Sequence, residues 1–360
     1  MESNDAVQQR LARLRAVMAR EELDAFAIAQ PENMRYLSGF TGGEGVVIVS
    51  AEHAALATDF RYYEQVRQQA PAFALAEVTG PTPPVVAATL GEMHARRVGF
   101  EAHHLTVEEF DQWRQAAPDL AWVPTTNVVE GLRQEKDANE VRAIEEAVRI
   151  ADAAMEHLMG WIAPGVTERE VAWEAEVYMR THGAEALSFT TIVASGARGA
   201  MAHAVTTDRP IAAGDPVVID MGCVYDGYCS DITRSFCVRE ANDDYLAVWR
   251  KVLQAQEAAE RAIHGGMPGV EADAVARRII YSAGYEGKFG HGLGHGVGLA
   301  IHEKPRASTL STDILTPGTI VTVEPGIYDP AWGGVRIEDM VLVTEDGCRV
   351  LTTASKQPVI

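Results

Sequence analysis

A predicted β-hairpin carries two aspartates that could bind a metal ion. Residues 217–234 read VVIDMGCVYDGYCSDITR, in which a β-branched run meets Asp-Gly, a preferred two-residue hairpin turn. With that turn, Asp220 lies opposite Thr233, and Asp231 shares their face, with its Cβ at most about 7–8 Å from that of Asp220. Two inward-facing carboxylates repel each other unless one or two cations lie between them. A simple turn or surface role fits the aspartate of the turn, but it fits Asp220 poorly because Asp220 follows Val-Val-Ile.

A glycine-rich stretch supplies three histidines. Residues 290–303 read GHGLGHGVGLAIHE and contain His291, His295 and His302. The glycines could expose N–H groups to a phosphate, but there is no P-loop lysine and no GxGxxG between a strand and a helix. Imidazole is the commonest metal ligand of proteins, and a histidine beside carboxylates suits Mn²⁺, Co²⁺, Fe²⁺ or Zn²⁺ better than Ca²⁺. A lone histidine is more often structural, whereas three in this setting favour at least one ligand.

Two further carboxylates end apolar strands. Glu324 lies in VTVEPG and Glu338 in GVRIED, where strand alternation would turn both side chains inward. Glutamates at strand ends are usually solvated, so each is a weak signal by itself. Together with the hairpin aspartates and one histidine, they form a set that could hold two divalent ions and a shared hydroxide.

These motifs resemble those of the methionine aminopeptidase/prolidase metallopeptidase superfamily, peptidase family M24, which has the pita-bread fold. The family's ligand order Asp, Asp, His, Glu, Glu is matched by five residues here: Asp220, Asp231, His295, Glu324 and Glu338. Residues 35–42 (RYLSGFTG) and 58–62 (TDFRY) are similar to the creatinase-type N-terminal domain. Methionine aminopeptidases lack that domain, so the resemblance is to the Xaa-Pro branch, which comprises Xaa-Pro dipeptidase (prolidase) and aminopeptidase P.

The resemblance implies a role for each member of the ligand set. Asp220 would bind one metal, His295 and Glu324 would bind the other, and Asp231 and Glu338 would bridge the two. Glu324 is also the candidate for carrying a proton to the leaving proline nitrogen, which has no N–H of its own.

The resemblance also implies roles for residues that do not bind metal. His203 and His302 match the family's two non-ligand histidines, which contact the substrate and help to stabilise the tetrahedral intermediate. Thr233 and Arg336 match positions that orient the carboxylates, and such partners tune ligand geometry. His291 matches a histidine of some prolidases, with a packing role as the alternative.

The implied activity is metal-dependent hydrolysis of an Xaa-Pro bond at the N-terminus of a dipeptide or short peptide. A hydroxide bridging two Mn²⁺ or Co²⁺ ions, with Zn²⁺ or Fe²⁺ as alternatives, would attack the scissile carbonyl. An Xaa-Pro dipeptidase is favoured, with aminopeptidase P on longer peptides as the alternative. Arg198 and Arg336 are the candidates for binding the proline carboxylate of a dipeptide. The complete ligand set argues against creatine amidinohydrolase and against a non-catalytic binding protein on the same fold.

The resemblance further implies a homodimer with a small peptide substrate that has proline at its second position. The loop at residues 39–45 (GFTGGEG) would close over the partner's site, since five of its seven residues are Gly or Thr.

The elements that must position these residues indicate an α+β protein of two domains. Alternating predicted strands and helices indicate a smaller α/β domain at residues 1–130. The resemblance implies that residues 131–360 form the catalytic pita-bread domain. The boundary follows from the polar, charge-rich stretch 127–139, which leads into a long helix at about 138–159. In the first domain, helices are predicted at 5–22, 60–69, 85–95 and 106–117, and strands at 25–29, 46–49, 54–58, 73–78 and 97–100. After residue 189 the pattern predicts mainly strands, with helices at about 243–264 and 271–283.

Composition excludes several other classes of function. The 360 residues include 31 Lys and Arg against 51 Asp and Glu, and the net charge of −20 disfavours binding to nucleic acid or to an anionic membrane surface. No stretch approaches the roughly 18 apolar residues of a membrane span, and the polar, acidic start lacks signal-peptide features. The four cysteines contain no CxxC pair, which predicts reduced, mostly buried thiols in a cytoplasmic protein.

Overall fold

The computed structural model describes residues 4–360 of the chain. The chain forms two compact units, the first ending at Arg133 and the second spanning Gln134–Ile360. That these units correspond to separately folding domains, as predicted for residues 1–130 and 131–360, stays a prediction. No helix within residues 4–360 has the length and apolar character needed to cross a membrane.

The first unit is built on a mixed six-stranded sheet of order β4-β3-β2-β1-β5-β6. Its strands are β1 (Ala25–Ile28), β2 (Val46–Ser50), β3 (Ala54–Asp59), β4 (Ala74–Val78), β5 (Arg97–Glu101) and β6 (Ala121–Thr125). Its helices are α1 (Asn4–Arg20), α2 (Pro31–Ser38), α3 (Tyr63–Gln69), α4 (Thr82–Glu92), α5 (Val107–Ala116) and α6 (Val128–Arg133). Only the two pairs made by β2 are antiparallel, so this is the α/β layer that the alternation of elements predicts.

The centre of this sheet is covered on both faces. Every residue of β1 and β2 is buried, which is typical of strands that have helices on either side. On one face, Val46 and Ile48 belong to a core that also contains Val86, Leu90 and Trp113 of the α4–α5 pair.

The second unit combines long helices with several small sheets. Its helices are α7 (Ala138–Trp161), α8 (Glu168–Thr181), α9 (Asp243–Ala262) and α10 (Gly269–Ser282), with a 3₁₀ turn at Gly196–Ala200. Its strands are β7 (Ala186–Leu187), β8 (Ile192–Ser195), β9 (Pro216–Met221), β10 (Cys223–Tyr225), β11 (Tyr228–Cys229), β12 (Ile232–Cys237), β13 (Met267–Pro268), β14 (Gly294–Gly296), β15 (Glu303–Ala307), β16 (Ile314–Leu315), β17 (Ile320–Val323), β18 (Gly326–Asp329), β19 (Gly333–Arg336), β20 (Asp339–Val343) and β21 (Cys348–Val350).

Two of the three hydrophobic cores of this unit join a pair of helices to strands. The first packs α7 and α8 against the sheet β12-β9-β8, with Met155 and Val171 in one core with Ile219. The second packs α9 and α10 against the sheet β15-β14-β17-β20-β21 and the β18–β19 hairpin, with Val252 and Ala276 in one core with Val321. Each core therefore fixes one set of strands that carries predicted ligands.

The predicted hairpin register is confirmed. Tyr225 pairs with Tyr228, so Asp226 and Gly227 are the two turn residues, and both have positive φ, at 44° and 75°. This is the condition of a type I′ turn, whose twist matches that of the flanking strands. Asp220 pairs with Thr233 as predicted.

Several predicted elements differ from those observed, mainly where proline starts a helix. No helix is predicted directly after the strand at 25–29, but Pro31 begins α2; proline suits the first helical turn because it needs no N–H partner there. For the same reason α4 begins at Thr82, before two prolines, rather than near residue 85. The short helix α6 and the edge strand β6 were not predicted. The helices predicted near 243–264 and 271–283 are confirmed as α9 and α10.

The cysteines match the expectation of free thiols. Cys223, Cys229 and Cys237 are buried and Cys348 is half-buried, and all four are free. Burial raises the pKa of Cys223 to about 11, so this thiol stays protonated and unreactive at neutral pH.

Candidate metal centre

The two aspartates of the hairpin enter the site from its first sheet. Asp220 lies in β9, where it pairs with Ile192 on one side and Thr233 on the other. Asp231 immediately precedes β12 and is buried. Gly222 lets the hairpin close tightly at this point, because a Cβ there would lie 1.9 Å from the carbonyl oxygen of Ser230.

The histidine and one glutamate enter from the second sheet. His295 lies in β14, whose ladder with β15 has a bulge after this residue, and Glu324 follows directly after β17. Thr322 holds the two together, since its hydroxyl accepts the N–H of His295 at 3.1 Å and donates to Glu324 at 3.3 Å. Gly294 permits this approach, because a Cβ there would lie 1.9 Å from the carbonyl oxygen of Thr322.

The structure brings all five predicted ligands to one cavity of about 360 Å³ in the second unit. The ligand atoms of Asp231, His295 and Glu338 lie within 4.8 Å of one another. The Nε2 of His295 is 3.7 Å from Asp231 Oδ2 and 3.6 Å from Glu324 Oε1. Asp220 lines the same cavity. Residues separated by more than a hundred positions in the sequence therefore converge on one point.

The donor atoms of the cluster fit a bound cation. Oδ1 of Asp220 and Oδ1 of Asp231 are buried and have no hydrogen-bond partner among the described residues. The Nδ1 of His295 lies 3.0 Å from the carbonyl oxygen of Gly296, which can only accept, so Nδ1 carries the proton. The Nε2 lone pair of His295 then faces two carboxylates. The Nε2 lone pair and the two unpaired carboxylate oxygens face the same space. A positive charge in that space would stabilise them, and a divalent ion would supply it.

The raised pKa values of the carboxyl groups also indicate that the cluster lacks positive charge. Burial, followed by repulsion from Glu338 and Asp220, raises the pKa of Asp231 well above its usual range. Burial and repulsion from Glu324 and Asp220 do the same for the pKa of Glu338. Burial raises the pKa of Glu324 to about 8. A bound cation would reverse these shifts and hold the carboxylates ionised.

Burial lowers the pKa of His295 to about 4. Its imidazole is therefore neutral at neutral pH, which is the form that binds a metal.

Thr233 and Arg336 tie the carboxylates together, as predicted for orienting residues. The Thr233 hydroxyl donates to Glu338 Oε2 at 2.7 Å and accepts from Arg336 Nε at 3.0 Å. Arg336 Nη2 donates to Asp220 Oδ2 at 2.5 Å. The side chain of Arg336 is 3% exposed, so its charge is committed inside the protein and is not free for a substrate carboxylate.

His291 is fixed by hydrogen bonds on both ring nitrogens. Its Nδ1 lies 2.8 Å from the carbonyl oxygen of Gly292 and must donate to it. Its Nε2 therefore accepts from the Tyr328 hydroxyl at 2.8 Å, and that hydroxyl in turn accepts from Arg336 Nη1 at 2.9 Å. His291 thus belongs to the chain of residues that supports Arg336, with Nδ1 4.0 Å from Glu324. Tyr328 was not predicted from the sequence.

The two remaining histidines lie at the opening of the cavity. His203 and His302 both line it and are exposed. The ring of His302 contacts that of His295 edge to face, with the centroids 4.4 Å apart. Partial desolvation at the cavity wall, followed by the nearby charge of Arg306, lowers the pKa of His302, which favours a neutral ring that can exchange hydrogen bonds with a ligand.

Arg306 is a cavity residue that the sequence did not reveal. It pairs with His295 across β14 and β15, which places both side chains on one face of the sheet. Arg306 is exposed and lines the cavity, and within residues 4–360 its guanidinium has no hydrogen-bond or ion-pair partner, since only its backbone N–H is bonded, to Asp313. Arg198, one of the two predicted carboxylate binders, is instead paired with the buried Glu168 and bonded to the carbonyl oxygen of Val205.

Comparisons with known proteins identify the family. Residues 142–345 match the metallopeptidase family M24, and residues 10–134 match the creatinase/prolidase N-terminal domain. The chain is 37% identical over 357 residues to the Xaa-Pro dipeptidase of Pyrococcus furiosus, an alignment that covers 98% of this chain and 99% of that protein.

Solved structures agree with this result. The Xaa-Pro dipeptidase from Bacillus anthracis matches with a TM-score of 0.96 at 41% identity, covering 98% of this chain and 100% of that one. The X-Pro aminopeptidase from Thermotoga maritima matches with a TM-score of 0.90 at 36% identity, with the same coverage. The fold expected from the resemblance is thereby confirmed. The chain belongs to peptidase family M24, joins a creatinase/prolidase N-terminal domain to a pita-bread domain, and is a metal-dependent hydrolase.

Proposed function

We propose that this protein is an Xaa-Pro dipeptidase, which hydrolyses the bond between an N-terminal residue and proline. The names of similar proteins support this substrate class, including the dipeptidases of Pyrococcus furiosus and Bacillus anthracis. The observation that carries the proposal is the convergence of four carboxylates and one neutral imidazole in a single cavity of the second unit.

The five predicted ligands would hold two divalent ions: Asp220, Asp231, His295, Glu324 and Glu338. When bound, such ions lower the pKa of a bound water and polarise a carbonyl oxygen, which is the chemistry that amide hydrolysis requires.

Residues of the chain would handle the substrate around the ions. His203 and His302 would donate hydrogen bonds to the oxygen on which negative charge develops during attack, a role that their position in the cavity lining supports. Glu324 would carry a proton to the departing proline nitrogen, which leaves as an amine only after it gains one. Arg336, Thr233 and the Tyr328–His291 pair would keep the carboxylates oriented during turnover.

Arg306 supports the preference for dipeptides. It is an uncommitted cation beside His295, and the carboxylate of an Xaa-Pro dipeptide lies one residue beyond the scissile bond. Arg336 and Arg198, predicted for this role from the sequence, both form ion pairs within the protein, with Asp220 and Glu168. We therefore assign recognition of the proline carboxylate to Arg306.

One observation favours the alternative, aminopeptidase P. A second cavity of about 570 Å³ shares Ile192 and His203 with the first and is lined by the exposed side chains of Trp173 and Val205. It could accept residues that follow proline in a longer peptide. The similarity to the Thermotoga maritima X-Pro aminopeptidase points the same way.

Hydrolysis of Gly-Pro, Gly-Pro-Pro and a longer Xaa-Pro peptide by the Mn²⁺-loaded protein separates the two activities. Turnover of the dipeptide alone supports the dipeptidase, and preference for the longer peptides supports aminopeptidase P.

In a dipeptidase, Arg306→Met should raise KM for Gly-Pro by about tenfold, as expected for one lost ion pair, and should leave KM for Gly-Pro amide unchanged. Arg278→Met, on the surface of α10, is the control.

The native metal, assembly and location form separate parts of the proposal. Manganese or cobalt suits a site of carboxylates and imidazole, and metal analysis of the protein purified without added metal tests this. A homodimer closed by the loop at residues 39–45 is tested by sedimentation at micromolar concentration. The four free thiols fit the reducing cytoplasm, which cell fractionation tests.

A further inference from the structure

A second buried polar group lies behind the carboxylate cluster and has no part in the proposed chemistry. We call it the arginine layer; it consists of Arg234, Asp339 and the segment 352–356. Strand alternation places it there, because Thr233 and Glu338 face the cavity and their sequence neighbours Arg234 and Asp339 face the other way. The side chains of Arg234 and Asp339 are 2% and 0% exposed.

Glu338 occupies a gap between two strands. β19 ends at Arg336 and β20 begins at Asp339, so the backbone of Glu338 takes part in neither ladder. Its N–H donates to the carbonyl oxygen of Thr233 at 3.1 Å. Its carbonyl oxygen accepts from Arg234 Nη1 at 2.5 Å. A buried backbone carbonyl outside a ladder needs such a donor, and Arg234 supplies it.

Arg234 holds two residues of the site at once. The same Nη1 also donates to the carbonyl oxygen of Thr233 at 3.0 Å. The side chains of Thr233 and Glu338 are joined by their own hydrogen bond of 2.7 Å. One guanidinium on the back of the sheet therefore fixes the backbones of two residues whose side chains meet at the front.

The segment 352–356 fixes the arginine in turn. The carbonyl oxygen of Ala354 accepts from Arg234 Nε at 3.2 Å and Nη2 at 2.8 Å. Asp339 Oδ1 accepts from Arg234 Nη2 at 2.8 Å and from the Thr352 hydroxyl at 2.7 Å. The Lys356 ammonium forms an ion pair with the other oxygen of Asp339. Each N–H group of the Arg234 guanidinium thus has an acceptor. One of these acceptors, Asp339, is itself bound by Thr352 and Lys356.

We propose that Arg234 is a positioning residue for the metal ligand Glu338, and that the segment 352–356 completes the metal site by fixing Arg234. This rests on the ligand role of Glu338 in the proposed function. The planar guanidinium is needed because its nitrogens reach Glu338, Asp339 and Ala354 in three directions, whereas a lysine ammonium is a single point charge. Loss of such an outer partner typically costs about 10–100-fold in metal affinity.

The test compares Arg234→Lys with the native protein by titrating Mn²⁺ into the metal-free form in a calorimeter. The variant keeps the positive charge beside Asp339, so we expect it to fold, to bind one of its two ions about 10–100-fold more weakly, and to show an altered Co²⁺ visible spectrum. The matched control is Arg10→Lys in the first unit, where another buried arginine donates to the carbonyl oxygen of Tyr36 at 2.8 Å. The control should lose stability without losing metal affinity.

Lys356→Met keeps the proposal testable if Arg234→Lys does not fold. It removes the ion pair with Asp339, together with the ion pair to Glu260 and the hydrogen bond to Gln256, but leaves every contact of Arg234 in place. We expect a smaller loss of metal affinity, of about three- to tenfold, in a folded protein. If folded Arg234→Lys or Lys356→Met binds Mn²⁺ with native affinity and gives the native Co²⁺ spectrum, the proposal is wrong and the arginine layer serves stability alone. Because these readouts need no peptide, they remain informative even if the protein cleaves no Xaa-Pro substrate.

Discussion

Glu338 and Asp339 are neighbours in the sequence and both are buried, yet their pKa values are shifted in opposite directions. Glu338 faces other carboxylates, and burial and their repulsion raise its pKa well above the usual range. Asp339 faces Arg234 and Lys356, which lower its pKa well below the usual range despite its burial. Glu338 lies among carboxylates that outnumber the one nearby cation, Arg336. Asp339 lies between two cations, Arg234 and Lys356, with one further carboxyl, that of Glu260, beside it.

The difference identifies which buried carboxylates serve structure and which serve chemistry. Buried charge is expensive, so a cluster with paired cations and satisfied hydrogen bonds is stable by itself. A cluster with orphan oxygens on Asp220 and Asp231 is stable only when something else supplies the charge. The arginine layer is the first kind and the metal centre is the second.

Asp339→Asn gives the largest expected effect. It leaves the buried charge of Arg234 without its anion, and breaking a buried pair costs about 3–5 kcal/mol. Glu338→Gln in the metal-free protein should be neutral or stabilising, because it removes one of several repelling carboxylates. Urea unfolding of both metal-free variants measures this. Equal destabilisation by the two substitutions would contradict the comparison.

Asp231→Asn should abolish most of the activity of the metal-loaded protein. It removes a predicted bridging ligand, and we expect kcat/KM for Gly-Pro to fall by at least about 10²–10³-fold, the size of losing one preorganised electrostatic group. The bound metal measured after dialysis should also fall. Asp226→Asn, in the hairpin turn at positive φ, is the matched control and should keep native turnover, since asparagine tolerates that conformation.

The metal-free protein should lose stability as the pH rises from about 6.5 to 8. The pKa of Glu324 is raised from about 4.5 to about 8, so in this range the folded state holds a proton that the unfolded state has released. Stability therefore falls with rising pH, by about 1–2 kcal/mol across the window. His295, with its pKa lowered to about 4, opposes the fall only near the lower end of this range, where the imidazole of the unfolded state is still partly protonated. Unfolding midpoints with and without Mn²⁺ measure this.

In the metal-saturated protein the ligand carboxylates are ionised, so the part of the fall that Glu324 causes should vanish, and only the smaller part due to Glu260, whose pKa is raised to about 7, should remain. Glu324→Gln should also reduce the fall in the metal-free protein. A metal-free protein whose stability is flat or rising between pH 6.5 and 8 would contradict the assignment.

Thr233→Val should give the smallest of these effects. It removes one hydrogen bond to Glu338 and one from Arg336 while keeping the β-branched shape, so we expect about a tenfold loss of Mn²⁺ affinity with little change in stability. Thr233→Ser retains the hydroxyl and should restore most of the affinity. An unchanged affinity in the valine variant would show that the carboxylate is oriented from the arginine layer alone.

Local sequence signals were sufficient for part of the site. The Asp-Gly turn fixed the register of the hairpin, because a two-residue turn leaves only one pairing, and Asp220 opposite Thr233 followed from it. The other predicted ligands depended on the resemblance to a known family. Strand alternation alone predicts that Glu324 and Glu338 face inward, but it does not predict which side chains they contact.

Tyr328, Arg306 and the arginine layer could not be predicted from the sequence because each depends on pairing between distant strands. Arg306 joins the site through its ladder position opposite His295, and Arg234 reaches Ala354 across 120 positions of the chain. No local pattern distinguishes an arginine that will meet a carboxylate from one that stays in solvent. Helix α2 is not predicted for a local reason: a proline can end a strand or begin a helix, and the sequence around Pro31 does not distinguish the two.

The sequence by itself determined the α+β class, the hairpin and the chemical character of the ligand set, since periodicity, turn type and residue type are local properties. Only the tertiary structure decided which carboxylates are paired with internal cations and which are left to face one another. That distinction depends on the side chains of distant segments brought within a few ångströms, and this is where the charge balance of a buried site is set.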